Sequence, residues 1–305
     1  MARVPKARIL VGTASWTDPT LIKSRRFYPR GCSSAEDRLR YYASVFPVVE
    51  VNSSYYALPS IDNAKVWAER TPAGFTFNVK AFRLFTGHQT GIDVLPPPVR
   101  DRLPAAIVAR KSIKYRDVPD DLLDLLWQFF IEALEPLQAS GKLGLVHFQF
   151  TPSITYSTAA RAHITECRER MAQFVVSAEF RHQSWFSSSH REQTVEFERE
   201  HALVHTVVDS PQGFLNAVNA HWEVTHPRFA LVRLHGRNKA TWNIRSGAAS
   251  DRFNYDYSDT ELAELAQSIA ELAGQVTQVD VIFNNNYEDQ GQRNALTLTR
   301  LLSSA

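Results

Sequence analysis

The chain has only two cysteines, Cys32 and Cys167, in 305 residues. Two thiols cannot supply a disulfide framework, and no pair is spaced as metal ligands are, so a reducing, cytoplasmic setting is expected. Charge of one sign is not in excess either. Lys and Arg number 34 against 32 Asp and Glu, and the formal charge of +2 gives no overall pull towards nucleic acid or an anionic membrane. No apolar stretch approaches membrane-spanning length, and the start Met1-Ala2-Arg3-Val4-Pro5-Lys6 leads into a strand-like run without a signal-peptide pattern, so no membrane association is expected. The glycine fingerprints of dinucleotide and phosphate loops are missing after the first strand candidate.

What is present is alternation. Short runs rich in Val, Ile and Phe alternate with stretches of helical period, the pattern of βα units on a parallel sheet. Eight strands are predicted, over 9–15, 48–53, 75–81, 143–150, 174–180, 202–209, 229–235 and 278–284. Ser33 with Glu36 reads as a capping box ahead of the stripe Leu39, Tyr42, Ala43 and Phe46. Ser258 with Glu261 repeats it before Leu262, Leu265, Ile269 and Leu272. Further helices are predicted over 62–70, 121–138, 157–173, 189–201 and 292–302. Eight strands and about seven helices make one α/β domain over 1–305, a single (β/α)8 TIM-type barrel. The helix after strand six is expected to be short or missing, because 210–227 carries Pro211, Gly213 and Pro227. A long loop is expected after strand three, over 86–121, with Pro96, Pro97, Pro98 and Pro104.

Side chains alternate across a strand, so residues two apart share a face. Glu50 and Asn52 share one, as do Asn78 and Lys80, His147 and Gln149, Ser177, Glu179 and Arg181, His205 and Asp209, and Arg233 and His235. This polar set is read as the lumen, with its charges towards the strand C-terminal ends where barrel enzymes place their sites. Buried charges must be paired or meet water and ligand. A salt-bridge network that merely plugs the barrel is the plain alternative.

The strand-end motifs Val11-Gly12-Thr13-Ala14-Ser15-Trp16, Val49-Glu50-Val51-Asn52-Ser53-Ser54-Tyr55-Tyr56, Phe75-Thr76-Phe77-Asn78-Val79-Lys80, Phe148-Gln149-Phe150, Glu179-Phe180-Arg181-His182 and Arg233-Leu234-His235-Gly236 span nearly the whole chain. In this the sequence resembles the YecE-like family, also called domain of unknown function 72. The resemblance implies a TIM-type barrel with a strand-end pocket and leaves the reaction open.

Lys80, Arg181, Arg233 and His235 suit a phosphate or carboxylate, since Arg offers paired donors and Lys a point charge. Glu50, Glu179, Asp209 and His235 are the candidate catalytic groups, with acid and base roles unassigned among the carboxylates. Trp16, Asn52, Tyr55, Gln149, Trp185, Trp242, Tyr257, Asn284 and Asn285 complete the candidate substrate contacts. The expected function is a hydrolase or lyase acting on a small anionic substrate such as a phosphorylated sugar or nucleotide. Nucleic-acid binding is an alternative, with rim aromatics and a basic track through Arg83, Arg110, Lys111, Lys114, Arg116, Arg237, Lys239 and Arg245. A non-catalytic ligand-binding barrel is another. No cofactor is expected. A divalent metal on Glu179, His182, Asp209 and His235 is the weighed alternative, opposed by the two arginines on the same face. The sequence gives no reading of oligomeric state.

Overall fold

The computed structural model describes residues 7–244 and 249–304, so residues 1–6 and Arg245 of the basic track lie outside the described residues. The chain order is strand β1 (Arg8–Ala14), helix α1 (Ala35–Val45), β2 (Val48–Val51), α2 (Ile61–Glu69), β3 (Thr76–Lys80), α3 (Asp120–Ala139), β4 (Leu143–Gln149), α4 (Thr158–Arg170), β5 (Val176–Glu179), α5 (Arg191–Glu200), β6 (Val204–Asp209), β7 (Phe229–Leu234), α6 (Asp259–Ala273), β8 (Gln278–Phe283) and α7 (Gln290–Ser304), with short helical turns between. The eight strands close into a parallel barrel in sequential order, β8 pairing with β1, so the predicted (β/α)8 architecture is present. No helix is assigned between β6 and β7 among the described residues, as the prolines there suggest. The long segment after β3 is not structureless. It carries helical turns and a two-stranded antiparallel ribbon, Thr90–Gly91 against Ser112–Ile113. Phe85 from this segment stacks on Trp127 of α3, with ring centroids 3.7 Å apart. No helix among the described residues is long and apolar enough to cross a membrane.

The capping box of α1 falls one residue later than the sequence suggests. Ser34 Oγ accepts from Asp37 N, and Asp37 accepts in return from Ser34 N. The box of α6 forms on Ser258 and Glu261 as expected.

The lumen has an apolar floor, where Leu10, Val48, Leu145, Val204, Leu231 and Ile282 pack together. One polar pair interrupts it, Asn78 Nδ2 donating to Asp280 Oδ2 at 2.9 Å. Asn78 Oδ1 also accepts from Leu145 N at 2.8 Å, supplying a bond that the register shift between β3 and β4 takes from the ladder. Gly144 permits this, since a Cβ there would lie 2.3 Å from Asn78 Oδ1. Burial lifts the Asp280 carboxyl to about 6, the hydrogen bonds from Asn78 and Gln278 only partly opposing it. A raised folded value means that stability falls as pH climbs from the ordinary carboxylate range through about 6. Asp280→Asn is therefore expected to gain about 1–3 kcal/mol at pH 7, with the gain vanishing below about pH 4. Urea titrations at both pH values check this, and a variant less stable than wild type at pH 7 would contradict it.

Candidate active site at the barrel mouth

Strand register decides which side chains meet. Glu50 pairs with Asn78, Lys80 with His147, Gln149 with Glu179, and Val208 with Arg233, and paired residues of parallel strands point the same way. Above the apolar floor this stacks Glu50, Lys80, His147, Gln149, Glu179 and Arg233 inside the barrel. Arg233 is fully buried at the centre of the layer. Its Nε and Nη2 donate to the two Glu50 carboxylate oxygens at 2.9 and 2.7 Å, and its Nη1 donates to Glu179 Oε2. Glu179 Oε1 also accepts from Gln149 Nε2 at 2.6 Å and Arg181 Nη1 at 3.1 Å. His147 Nε2 and His235 Nε2 approach the same carboxylate at 3.3 and 3.5 Å. Asn284 Nδ2 lies 2.8 Å from His235 Nδ1, and His235 Nε2 lies 3.3 Å from Arg233 Nη1 as well as beside Glu179.

Burial would raise both carboxyls, but Arg233 overrides it. Glu50 is held below the ordinary range by Arg233, His147 and Lys80, and Glu179 well below it by Arg233 and His235. Burial pushes His235 down to about 4, so its imidazole is neutral at pH 7. Glu50 and Glu179 are thus ionised, saturated and out of contact with solvent.

Over this layer opens a cavity of about 980 Å³. Trp16, Asn52, Tyr55, Lys80, Gln149, Arg181 and Asn284 of the predicted set line it. Lys80 donates to Gln149 Oε1 at 2.8 Å and lies 4.6 Å from the Tyr55 ring centroid. The Arg181 guanidinium lies over the Trp242 ring at 5.0 Å. Asn52 Oδ1 is shielded from solvent and has no hydrogen-bond partner. Ser15, also on the wall, holds φ of 100°, a conformation unusual for a residue with a Cβ. Burial, reinforced by Arg233 and opposed by Glu50 and Glu179, brings the Lys80 ammonium down to about 8.

Several expected contacts lie elsewhere. The alternation on β6 is inverted. Ser177 pairs with Val204 and Val208 with Arg233, so Val204, Thr206 and Val208 face the lumen, while His205 and Asp209 face out. His205 Nδ1 donates to Glu198 of α5 at 3.0 Å, and Asp209 is bound by Arg237 and by the Tyr257 hydroxyl at 2.7 Å. Asp209 and Tyr257 therefore leave the cavity set. Trp185 is a core residue, stacked on Phe180 at 4.2 Å with Nε1 donating to Ile154 O. Trp242 is buried behind the wall, against Arg181, Asn216, Arg252 and Phe253, which line the cavity. Asn285 faces out, donating to Tyr255 O and Asn294 Oδ1. Arg233 and His235 lie beneath the cavity wall rather than on it.

Among the described residues no group of three or more His, Cys, Asp or Glu side chains gathers as a metal site would require. His182 turns to Ser184, at 2.9 Å, and not to Glu179. Within the basic track Arg237 is paired with Asp209 and Glu261, and Arg110 with Asp117.

Arg70, His88 and Arg252, none of them on a barrel strand, also line the cavity. Arg252 comes from the segment after β7 and donates to Trp242 O at 3.0 Å, and no periodic pattern marks it. His147 shares the parity of Gln149 and so is legible from the strand alternation.

These features define a (β/α)8 barrel whose charged lumen supports a cationic cavity at the strand C-terminal ends. The chain belongs to the family described as protein of unknown function DUF72, which it matches over residues 10–305. It is 31% identical over 297 residues to the UPF0759 protein YunF of Bacillus subtilis (strain 168), covering 96% of this chain and 94% of that protein. A DUF72 family protein from Thermotoga maritima MSB8 shares the fold with a TM-score of 0.76 at 26% identity, covering 97% and 99% of the two chains. One from Enterococcus faecalis V583 gives 0.77 at 24%, covering 97% and 95%.

Proposed function

We propose that the barrel mouth is the active site of a hydrolase or lyase that takes a small anionic metabolite, a phosphorylated sugar or nucleotide-like compound. The observation that carries this reading is the division of charge. The two carboxylates of the lumen are turned inward onto Arg233, while Lys80 and Arg181 reach the cavity wall. The wall is therefore cationic, and a guest's anionic group replaces the water that hydrates those cations. Trp16 and Tyr55 supply apolar surface on the same wall for the uncharged part of the guest.

Inorganic phosphate, sugar phosphates and nucleotides are expected to raise the melting temperature, a ligand at about 100 times its dissociation constant adding roughly 2.7 kcal/mol. Arg181→Met is expected to weaken that binding by about tenfold or more. No shift with any anion would remove the reading. Short oligonucleotides at low salt form a parallel arm. Stabilisation by them alone, lost steeply as salt rises, would favour nucleic acid instead.

A further inference from the structure

We propose that Lys80 is a nucleophile that forms an imine with a carbonyl carbon of the bound anion, which makes the substrate a phosphorylated or carboxylated aldehyde or ketone. The inference rests on the anionic-metabolite reading of the same cavity and adds the reacting group.

The placement of Nζ carries it. Among the described residues on the cavity wall Lys80 is the one lysine. A second buried lysine shows what a structural role looks like. Lys142 Nζ donates to Ala68 O, Thr71 O and Thr71 Oγ1, which saturates all three of its donors. Lys80 instead meets Gln149 Oε1, and that amide is itself oriented by Glu179. Gln149 is the one hydrogen-bond partner shown for Nζ, the Tyr55 ring centroid lies 4.6 Å from it, and Lys80 stands on the cavity wall. Arg181, tied to Glu179 and stacked on Trp242, is the adjoining cation for the anionic group.

The chemistry balances without an added reagent. The neutral amine's lone pair adds to the carbonyl carbon, and the carbonyl π pair moves to oxygen, which takes a proton. Nitrogen loses a proton to give a neutral carbinolamine. Expulsion of that hydroxyl with a second proton as water leaves a protonated imine. Burial and the neighbouring Arg233 bring the Lys80 ammonium to about 8, so a useful fraction is neutral near physiological pH. The protonated imine draws electrons from the adjoining carbon, which suits the lyase branch of the proposed function.

The test uses glyceraldehyde 3-phosphate as probe, with sodium borohydride to reduce any imine, followed by peptide mapping. Reduction fixes the aldehyde to nitrogen with a mass gain equal to the aldehyde less one oxygen atom. Labelling at Lys80 is expected to exceed that of any other lysine by about tenfold, as a lowered ammonium pKa and a cavity for phosphate both direct it there. It should rise between about pH 7 and 9, and glyceraldehyde without phosphate should label Lys80 weakly. Lys80→Arg is expected to lose the adduct, and the anion site is read separately, from the thermal response of the wild-type protein to inorganic phosphate. Labels spread over exposed lysines such as Lys65 and Lys239, with phosphate still stabilising the protein, would overturn the imine and leave the anion site standing. Absence of both label and phosphate response would overturn the two together.

Discussion

Arg233→Met is expected to cost about 3–5 kcal/mol, because it removes the cation from between two buried carboxylates and leaves both uncompensated. Three guanidinium nitrogens of Arg233 are engaged by Glu50 and Glu179, and all three side chains are fully buried. Methionine fills much of the volume but answers no charge. The pH dependence separates this cause from a packing defect. In the wild type both carboxyls lie below their ordinary range, so their contribution is present above about pH 4.5 and is lost as pH falls through the lowered values. In the variant burial acts unopposed by Arg233 and the carboxyls rise, so stability is lost as pH climbs above about 4.5. The gap between the two proteins should be widest at neutral pH and should close towards acid. Urea unfolding at pH 7 and pH 4 measures it. A loss below about 1 kcal/mol at pH 7, or a gap independent of pH, would show that the network does not hold the barrel as its geometry implies.

This role for Arg233 differs from the anion clamp that its parity suggests. The same layer shows how far alternation can be read. All eight strands, the missing helix between β6 and β7 and the inward turn of Glu50, Lys80, Gln149, Glu179 and Arg233 were legible, because β2, β3, β4, β5 and β7 segregate polar and apolar side chains cleanly. On β6 the outer face is also polar. His205 is satisfied by Glu198 beneath α5, and Asp209 by Arg237 and Tyr257, while Val204 and Val208 point inward. A barrel strand is buried on both faces, so alternation separates two faces without saying which one is the lumen. Register against Ser177 and Arg233 says so, and register needs the fold. Trp185 illustrates a second limit. An aromatic just past a strand end has the same sequence signature on a cavity wall as in the core, and here full burial against Phe180 with Nε1 bonded to Ile154 O separates the two. Arg252 illustrates a third, since it reaches the cavity from a short helical turn after β7 by folding back on Trp242.

Glu179→Gln is expected to lower stability by about 3–5 kcal/mol and, in the same protein, to strengthen anion binding. A general acid or base at this position would behave otherwise, leaving stability and affinity alone and abolishing turnover. The geometry favours the first pair of effects. The lumen layer holds Glu50 and Glu179 against Arg233, Arg181 and Lys80, so its formal charge is +1 with neutral histidines, and it becomes +2 when Glu179 is amidated. Arg233 Nη1 and Arg181 Nη1 both lose a charged acceptor, and the neutral amide presents one oxygen where the carboxylate presented two. Within a layer of such low exposure the two guanidinium groups then repel each other with little screening, which is the source of the lost stability. Arg181, released from Glu179 and still stacked on Trp242, turns its full charge to the cavity. Phosphate binding followed by calorimetry should tighten by several-fold and become more sensitive to salt, since one more uncompensated cation faces the guest. Glu50→Gln is the control. It removes the same charge but touches Arg233 and not Arg181, so it should lose comparable stability with a smaller gain in affinity. A Glu179→Gln protein of wild-type stability would return the carboxylate to the role of acid or base, and one that binds phosphate more weakly would show that Arg181 needs Glu179 to hold its aim.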